Sequence, residues 1–538
     1  MSLTNALGIA ASALSATQRQ LTQTSQNIAA ADIPGTTRKR VPVSTAVAGG
    51  SGIGLAIGVT IRAEDPALRR LLLQTSAEGS AASLRQAILQ NVDLVAGQPH
   101  EGVGTAGLVR RLEDAFTTLR ADPSAAIEQI KTLEAARDLT QHLNRLSGAV
   151  QKARQEAHDT LVATVNRGNE VLGELGRLNR RIVELGFARQ PTAELEDTRD
   201  RLVLELSETF GFRPIQQASG AIAIVTRNGL VLPQRADALS IDETTIDATS
   251  FYEPGNLLSS IPRLTVNLDG GQSFELASVH LAGRAGEAMA LRDGTLPLMQ
   301  AELDEFAQKL ARRFDQQGLR LFSRPNGTIP VENATDQQGY VGFAREITVY
   351  PAILTDPRYL RDGTHAIPGG TPPAFPGGTP NASPAPSGSA FTPNPPGGPA
   401  AFDTLIRRVL DHALGATRDA GPPPLAHDPL FRTTNLGPYT NPLFQLTSPL
   451  SVTARTTLFE YATLATARHA SVVSSAAAAK EAGEAARSLA EQKLADRVGI
   501  SVDREMALLV ELQNAYVANA RVMTTVQAMW DSLFSAVR

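Results

Sequence analysis

The stretch from Gly499 to Arg538 constrains this chain more than any other, because the opposite end of the sequence is patterned to match it. Alternating steps of three and four from Met506 fall on Leu509, Gln513, Tyr516, Ala520, Met523, Gln527, Trp530 and Phe534. That is a heptad seam with two glutamines at like positions, where polar residues set register at some cost in stability. No Pro or Gly interrupts it, and Ser501 or Asp503 can cap its start. The same count from Leu3 falls on Leu7, Ala10, Leu14, Thr17, Leu21, Thr24 and Ile28. The two ends of the chain thus read as complementary halves of one coiled coil. The alternative is a pair of unrelated surface helices packed on a globular core.

With 538 residues the chain has room for about three or four domains. No Phe, Tyr or Trp precedes Phe116, so the first quarter packs through aliphatic side chains, which suits long helices. A net charge of −4 offers no field for nucleic acid or anionic lipid. Cysteine is absent, which excludes disulfides and thiolate metal sites. The eight histidines are scattered without ligand spacing, so neither a metal nor another cofactor is expected. No nucleophile elbow or phosphate loop appears, and nothing favours an enzyme. The Gly-rich run Gly49–Gly58 lacks the preceding strand and following helix of a dinucleotide site, and reads as a mobile loop leading into a short strand. No apolar run reaches the length of about 18 residues that a membrane span needs. Leu3–Ala16 is apolar, but no Lys or Arg precedes it and the heptad runs on, so a cleaved signal peptide is not expected.

Along the chain, the first helix should end at Ile33-Pro34-Gly35. Helical spacing then predicts helices over 65–97 and 108–119. A very long one follows from Asp122-Pro123-Ser124 past Ile182, about 60 residues and about 90 Å. A shorter helix runs from Thr192 to Gly211. In it, Glu194, Glu196, Asp197, Arg199, Asp200 and Arg201 read as ion pairs on an exposed helix face rather than as catalytic carboxylates. From Phe212 the pattern becomes short and alternating, with strands expected at 221–226, 230–232, 263–268 and 274–280. A helix with Leu303, Phe306, Leu310 and Phe314 follows, then one or two strands over 340–349. The segment 363–399 is rich in Gly and Pro and free of charge, which marks an exposed flexible insertion. Helix resumes over 451–497 and breaks at 498–502 before the closing helix.

The expected class is α+β: long N- and C-terminal helices paired in a coiled-coil or helix-bundle stalk, a β-rich middle domain and a flexible Pro/Gly-rich insertion. The divisions are 1–62 with 499–538 as the terminal segment, 63–211 with 450–498 as a helical bundle rod, 212–320 as the β-rich domain with its following helix, and 321–449 as a variable outer insertion, disordered at about 363–400.

Several of these stretches carry a resemblance. Gly499-Ile-Ser-Val-Asp-Arg-Glu-Met-Ala-Leu-Leu-Val-Glu-Leu-Gln-Asn-Ala-Tyr516 with Ala518-Asn-Ala-Arg-Val-Met-Thr-Thr525 resembles the C-terminal signature of flagellar axial proteins. Its Gln-x-Ala-Tyr-x-Ala-Asn-Ala-Arg form is similar to the family of flagellar hook-associated protein 1, the FlgK family. Gln26–Arg38 is similar to the axial N-terminal motif, with Ala30 and Asp32 where Asn is usual and Thr36 where an aromatic is usual. Arg62 and Asp65 match the Arg and Asp that follow a Gly-rich stretch in that family. Asp197-Thr-Arg-Asp200 and Leu291-Arg-Asp-Gly-Thr-Leu-Pro297, with Gln300 and Asp304, are similar to it as well.

The resemblance implies a structural part of the bacterial flagellum at the hook–filament junction, polymerising with itself. It further implies contacts to the flagellar hook protein and hook-associated protein 3, and a C-terminal export chaperone. The destination is extracellular, by flagellar type III export without a cleaved signal peptide. Neither nucleic acid nor a membrane span is expected, and a secreted coiled-coil adhesin or phage-tail-like protein is the alternative. The candidate assembly face is Leu3, Leu7, Leu14, Leu21, Asn27 and Ile28 at one end. At the other it is Met506, Leu509, Gln513, Tyr516, Asn519, Ala520, Met523, Gln527, Trp530 and Leu533. The first helix has too few large aliphatic residues to offset its ordering entropy alone. Both ends are therefore expected to fray in the monomer and to order among neighbouring subunits.

Overall fold

The computed structural model describes residues 3–48, 51–97, 102, 104–252, 260–330, 339–365, 393–395, 397–416, 431–436, 446–453 and 455–537. Residues 366–392 of the Pro/Gly-rich segment lie outside this set, and with them most of the flexibility expected there.

The chain begins with helix α1, Leu3–Ala29, which stops four residues short of Ile33 and turns through Gly35 at φ 78°. Four strands follow: β1 (Lys39–Arg40), β2 (Val43–Ala48), β3 (Ser51–Ile57) and β4 (Ile61–Arg62). β1 pairs with β4 and β2 with β3, both antiparallel. From Ser51 on, the Gly-rich run expected as a mobile loop leading into a short strand is strand β3 of a hairpin. Its glycines answer to packing: a Cβ on Gly54 would stand 2.7 Å from the Ser12 hydroxyl of α1. Ser12 Oγ also accepts the Leu55 N–H at 3.0 Å, so the hairpin lies on the first helix.

Helix α2, Pro66–Ala96, is capped by Asp65, whose carboxylate accepts the Ala67 and Leu68 N–H groups, with Pro at the position where no donor is needed. Helix α3 is Thr105–Ala121, and α4, Ala126–Phe187, runs unbroken for 62 residues. Helix α5 is Ala193–Phe210, closed by Gly211 in the left-handed conformation. Six short strands then form two three-stranded antiparallel sheets. One holds β5 (Arg213–Gln216), β6 (Ile222–Val225) and β7 (Val231–Leu232); the other holds β8 (Leu239–Ser240), β9 (Thr265–Asn267) and β10 (Ser273–Glu275). β5 and β8 had no alternating signature in the sequence, and 278–280 is a 3-10 turn rather than strand.

Helix α6 (Gly283–Ala290) passes through a π turn at Leu291–Thr295 into α7, Leu296–Gln316. Beyond it come β11 (Phe322–Ser323) and α8 (Phe343–Glu346), then β12 (Thr348–Val349), α9 (Pro351–Thr355), α10 (Tyr359–Asp362) and α11 (Thr404–Arg408). The strands expected over 340–349 are therefore one helical turn and one short strand. Helix α12, Leu458–Val498, opens with a Thr457/Glu460 capping box, and α13, Val502–Val537, closes the chain. No helix among the described residues is long and apolar enough to cross a membrane.

Two cores carry the helical body. In the larger, residues of α3, α4, α7, α11 and α12 enclose Phe314, which meets Phe322 edge-on at 5.3 Å and Phe116 at 5.8 Å. In the second, α4 and α5 hold the two sheets through Leu172, Leu206, Phe210, Ile224 and Val266. α7 is buried on all sides and brings carboxylates with it. Glu302 is met by Ser448, Arg468 and His469, Glu305 by the Tyr340 hydroxyl and the Arg432 N–H. Asp304 accepts the Gly342 and Ala344 N–H groups at 2.8 and 2.9 Å and the Gln300 amide at 3.0 Å. Burial nevertheless pushes its carboxyl up to about 7, against those hydrogen bonds.

α12 runs antiparallel to α2 and touches it backbone to backbone. A Cβ on Gly483 would sit 2.8 Å from the Gly79 Cα. At the far end of this pair Val498 stands beside the N-terminal segment, and the chain reverses through 499–501 into α13. That reversal brings the closing helix alongside α1.

Candidate assembly interface

The meeting point of the two chain ends is a polar socket. Asn27, near the end of α1, donates from Nδ2 to the Lys39 carbonyl at 2.8 Å and to Glu505 Oε2 at 2.9 Å, and accepts the Lys39 N–H at 3.2 Å. Its amide thereby stands in for a strand neighbour of β1. Glu505, in the first turn of α13, is 0% exposed, and its second oxygen accepts from Arg38 Nε at 2.6 Å. The Arg38 N–H reaches the Val498 carbonyl at 2.8 Å and ties the same loop to the end of α12. A carboxylate in the first turn also suits the positive end of the helix dipole.

The socket continues into the start of α5. Lys39 Nζ lies 2.8 Å from Asp197 and 3.0 Å from Glu194. Thr37 gives Asp197 its N–H at 3.1 Å and its hydroxyl at 2.8 Å. Arg62 reaches Glu196 at 2.9 Å, Asp197 at 3.2 Å and also Asp200, where Arg69 joins. Burial would raise the Asp197 carboxyl, but hydrogen bonds from Lys39 and Thr37 hold it below the usual carboxylate range. Burial, with Arg62 beside it, pushes Arg69 down to about 10. The charged row of α5 is therefore only partly the exposed face expected. Glu194 and Arg201 are exposed, but Asp197 and Arg199 are buried. Their partners come from the N-terminal loop and, for Arg199, from the Gly220 carbonyl. Spacing within one helix carries no sign of such distant cations.

Beyond the socket α1 and α13 lie side by side, in opposite directions. On α1, Ala10, Ala16, Thr17, Gln23, Thr24 and Asn27 are buried, and Leu7, Leu14, Leu21 and Ile28 are half-buried. The Leu3 side chain lies outside the described residues. On α13 the enclosed positions are Glu505, Leu512 and Val526. Leu508, Leu509, Ala515, Asn519, Ala520, Met523 and Trp530 are half-buried. The seam counted from Met506 matches the enclosed side only in part. Met506, Gln513, Tyr516, Gln527 and Phe534 of that count face outward, as does Leu533, and Leu512 and Val526 take inner positions, while Leu509, Ala520, Met523 and Trp530 keep to the half-buried side. The count missed because the inner stripe starts on a carboxylate, Glu505, which a search for apolar periodicity passes over.

Two stripes on the outward side of α13 are apolar as well. Met506, Val510 and Val517 form one stripe, and Val522, Met529 and Leu533 another, each residue about half exposed. Trp530 stacks on Phe534 at 5.4 Å. A polar face with Asp503, Asn514, Arg521 and Ser532 separates the two stripes, and apolar stripes left exposed in this way mark surfaces that other molecules can cover. The hairpin adds Val47 and Ile53, also exposed, on the flank of α1. Elsewhere, an open cleft of about 730 Å³ separates α4 from the β5–β7 sheet. Its polar wall is occupied internally, since the Asn179 amide pairs with both backbone groups of Ile222. Among the described residues no group of three or more His, Asp or Glu side chains is placed to hold a metal ion.

Comparison with known proteins places two parts of the chain. Residues 89–324 match the model of the flagellar hook-associated protein FlgK helical domain, and residues 496–536 match that of the flagellar basal body rod FlgEFG protein C-terminal region. The chain is 26% identical to flagellar hook-associated protein 1 of Escherichia coli (strain K12) over 243 residues, 43% of this chain and 43% of that protein. It thus spans under half the length of the curated relative it matches. A solved structure, the flagellar hook junction protein FlgK from Burkholderia pseudomallei, is similar over 48% of this chain and 45% of that one, with 21% identity and a TM-score of 0.40.

Proposed function

We propose that this chain, which belongs to the FlgK family of flagellar hook-associated proteins, is a structural component of the bacterial flagellum that builds the junction between hook and filament. The observation that supports this reading best is the joined pair of chain ends, locked at its base and apolar in stripes on its outward side. Such a stalk is unfinished as a monomer. Copies set side by side in a heterologous, repeating contact would cover those stripes and extend a tube. We take α1 and α13 as the coiled-coil part of an axial core made from 1–62 and 499–538. The rod of 63–211 with 450–498 and the β-rich part of 212–320 project from it; the described residues of 321–449, expected as an outer insertion, instead pack through Phe322, Tyr340, Ile406 and Val409 into the core shared by α3, α4, α7 and α12.

On this reading the half-buried Leu7, Leu14, Leu21, Met523 and Trp530 hold the stalk together. The outward Met506, Val510, Val517 and Leu533 meet neighbours. The neighbours are further copies of the chain, the flagellar hook protein on one side and hook-associated protein 3 on the other. An export chaperone covers the C-terminal stripe beforehand, and the protein leaves the cell by flagellar export. Its work is mechanical rather than catalytic. Deleting the gene and imaging the cells tests the assignment. Hooks without filaments, restored by the intact gene, are the expected result; normal filaments on the deletion strain would overturn it.

A further inference from the structure

The socket supports an inference that does not depend on where the protein is assembled. Asn27 and Glu505 are separated by 478 residues of chain and meet at 2.9 Å. Both oxygens of the enclosed Glu505 are held by the N-terminal segment, one by Asn27 and one by Arg38. Asn27 in turn fixes β1 through both backbone groups of Lys39, and β1 carries β4 through the Lys39–Arg62 register. Neither half is satisfied alone. Without the loop, a carboxylate in a closed site has lost its donors, which is a severe penalty. Without α13, Asn27 and Arg38 lose the acceptor that orients them.

We propose that Asn27 and Glu505 form a coincidence lock, so that the N-terminal segment 27–62 and the first turns of α13 acquire order only together, and an ordered stalk signals that both ends of the chain are in place. Linkage makes the effect reciprocal: whatever loosens one half loosens the other by the same factor. Asn27 acts here as a positioning residue. Its Oδ1 also takes a long 3.5 Å contact from Gln23 on the same helix, but its amide matches the backbone of one strand and the carboxylate of a distant helix at once.

Hydrogen exchange on the full-length chain reads both halves in one experiment. Glu505→Ala should speed exchange of the Arg38 and Ala63 amides, which bond Val498 and Arg38 carbonyls, by about tenfold or more, the size expected for losing a hydrogen bond to a charged group. Asn27→Ala should speed exchange over 502–509 by a similar factor. The double variant should resemble either single one, because one lock is broken only once. Met506→Ala, on the outward face next door, should leave both segments unchanged. The inference fails if each substitution acts only on its own helix, if the double variant multiplies the single effects, or if Met506→Ala does the same. It also fails if the amides of α4 open together with the socket, since the lock would then be part of the global fold. A defect in filament growth with an intact lock would count against the proposed function instead, so the two readings fail separately.

Discussion

The helical body and the terminal stalk use similar residues toward opposite ends. In the body, Phe314, Phe116, Leu139 and Leu310 are completely enclosed, and even the carboxylates of α7 are matched to donors. In the stalk, small and polar side chains take the inner positions of α1, and large apolar ones stand outside α13. A body of the first kind is complete within one chain. A stalk of the second kind is fastened at its base by ions and hydrogen bonds, and leaves its hydrophobic surface available to other molecules. Polar fixing at one end with apolar surface along the rest suits an element that must be aimed by its own chain and buried by its neighbours.

The contrast can be broken most severely in the body. Phe314→Ala should cost about 3–5 kcal/mol, read as a fall in the urea midpoint, because the cavity opens between two aromatic partners and little can collapse into it. A loss below about 1 kcal/mol would mean this core is looser than its burial implies.

Acidity separates the two regions by sign. Asp304 has a folded pKa of about 7, above its unfolded value of 3.8, so its stabilising contribution is full below about pH 4 and is lost as pH rises toward 7. At about 1.4 kcal/mol per unit the loss approaches 4 kcal/mol, and Asp304→Asn should flatten that part of the stability profile. Asp197 is held below its ordinary value, so the socket keeps its contribution above the unfolded pKa and loses it on acidification through the lower folded one. Urea titrations across pH 3–8, with exchange at Thr37–Lys39 as the socket readout, check both directions. A D304N profile parallel to that of the parent chain would sink the first.

Removing Asp197 leaves Lys39 and Arg62 in a closed site with one counter-ion fewer. Asp197→Ala should therefore weaken the docking of the N-terminal loop by about 3 kcal/mol, while the urea midpoint of the body moves little. Limited proteolysis near residue 38 measures it, and unchanged resistance would dismiss the claim. The smallest expected effect on stability carries the largest on assembly. Val510→Glu or Val517→Glu should change folding stability by no more than about 0.5 kcal/mol, since both side chains already face water. Either substitution should still abolish polymerisation, as should Trp530→Glu and Leu14→Glu; filaments of normal length would remove the outward stripe from the interface.

Much of this architecture was legible in order and length. The 62-residue α4, the helix starting after Asp65, the stop at Gly211 and the reversal before α13 all follow from periodicity and terminal residues. The pairing of the two ends was readable too, because both carry repeating apolar positions. What escaped were features defined by distant partners. The face of α13 turned on Glu505, whose burial depends on Asn27 and Arg38. The burial of Asp197 depends on Lys39 and Arg62. Strand β3 hid in a glycine run because its glycines answer to Ser12 of another element, and two-residue strands such as β1, β8 and β11 are too short to alternate. Local pattern reports local physics, and each of these is settled by something far away in the sequence.

One earlier contact has a mechanical consequence. Where Gly79 meets Gly483, α2 and α12 touch without any side chain between them, so there is nothing compressible at the crossing. Torque applied to the stalk would reach the body through two peptide backbones in direct contact, a stiff bearing rather than a cushion. A methyl group added at either glycine would act as a shim, changing the angle between α2 and α12 and with it the angle between stalk and body.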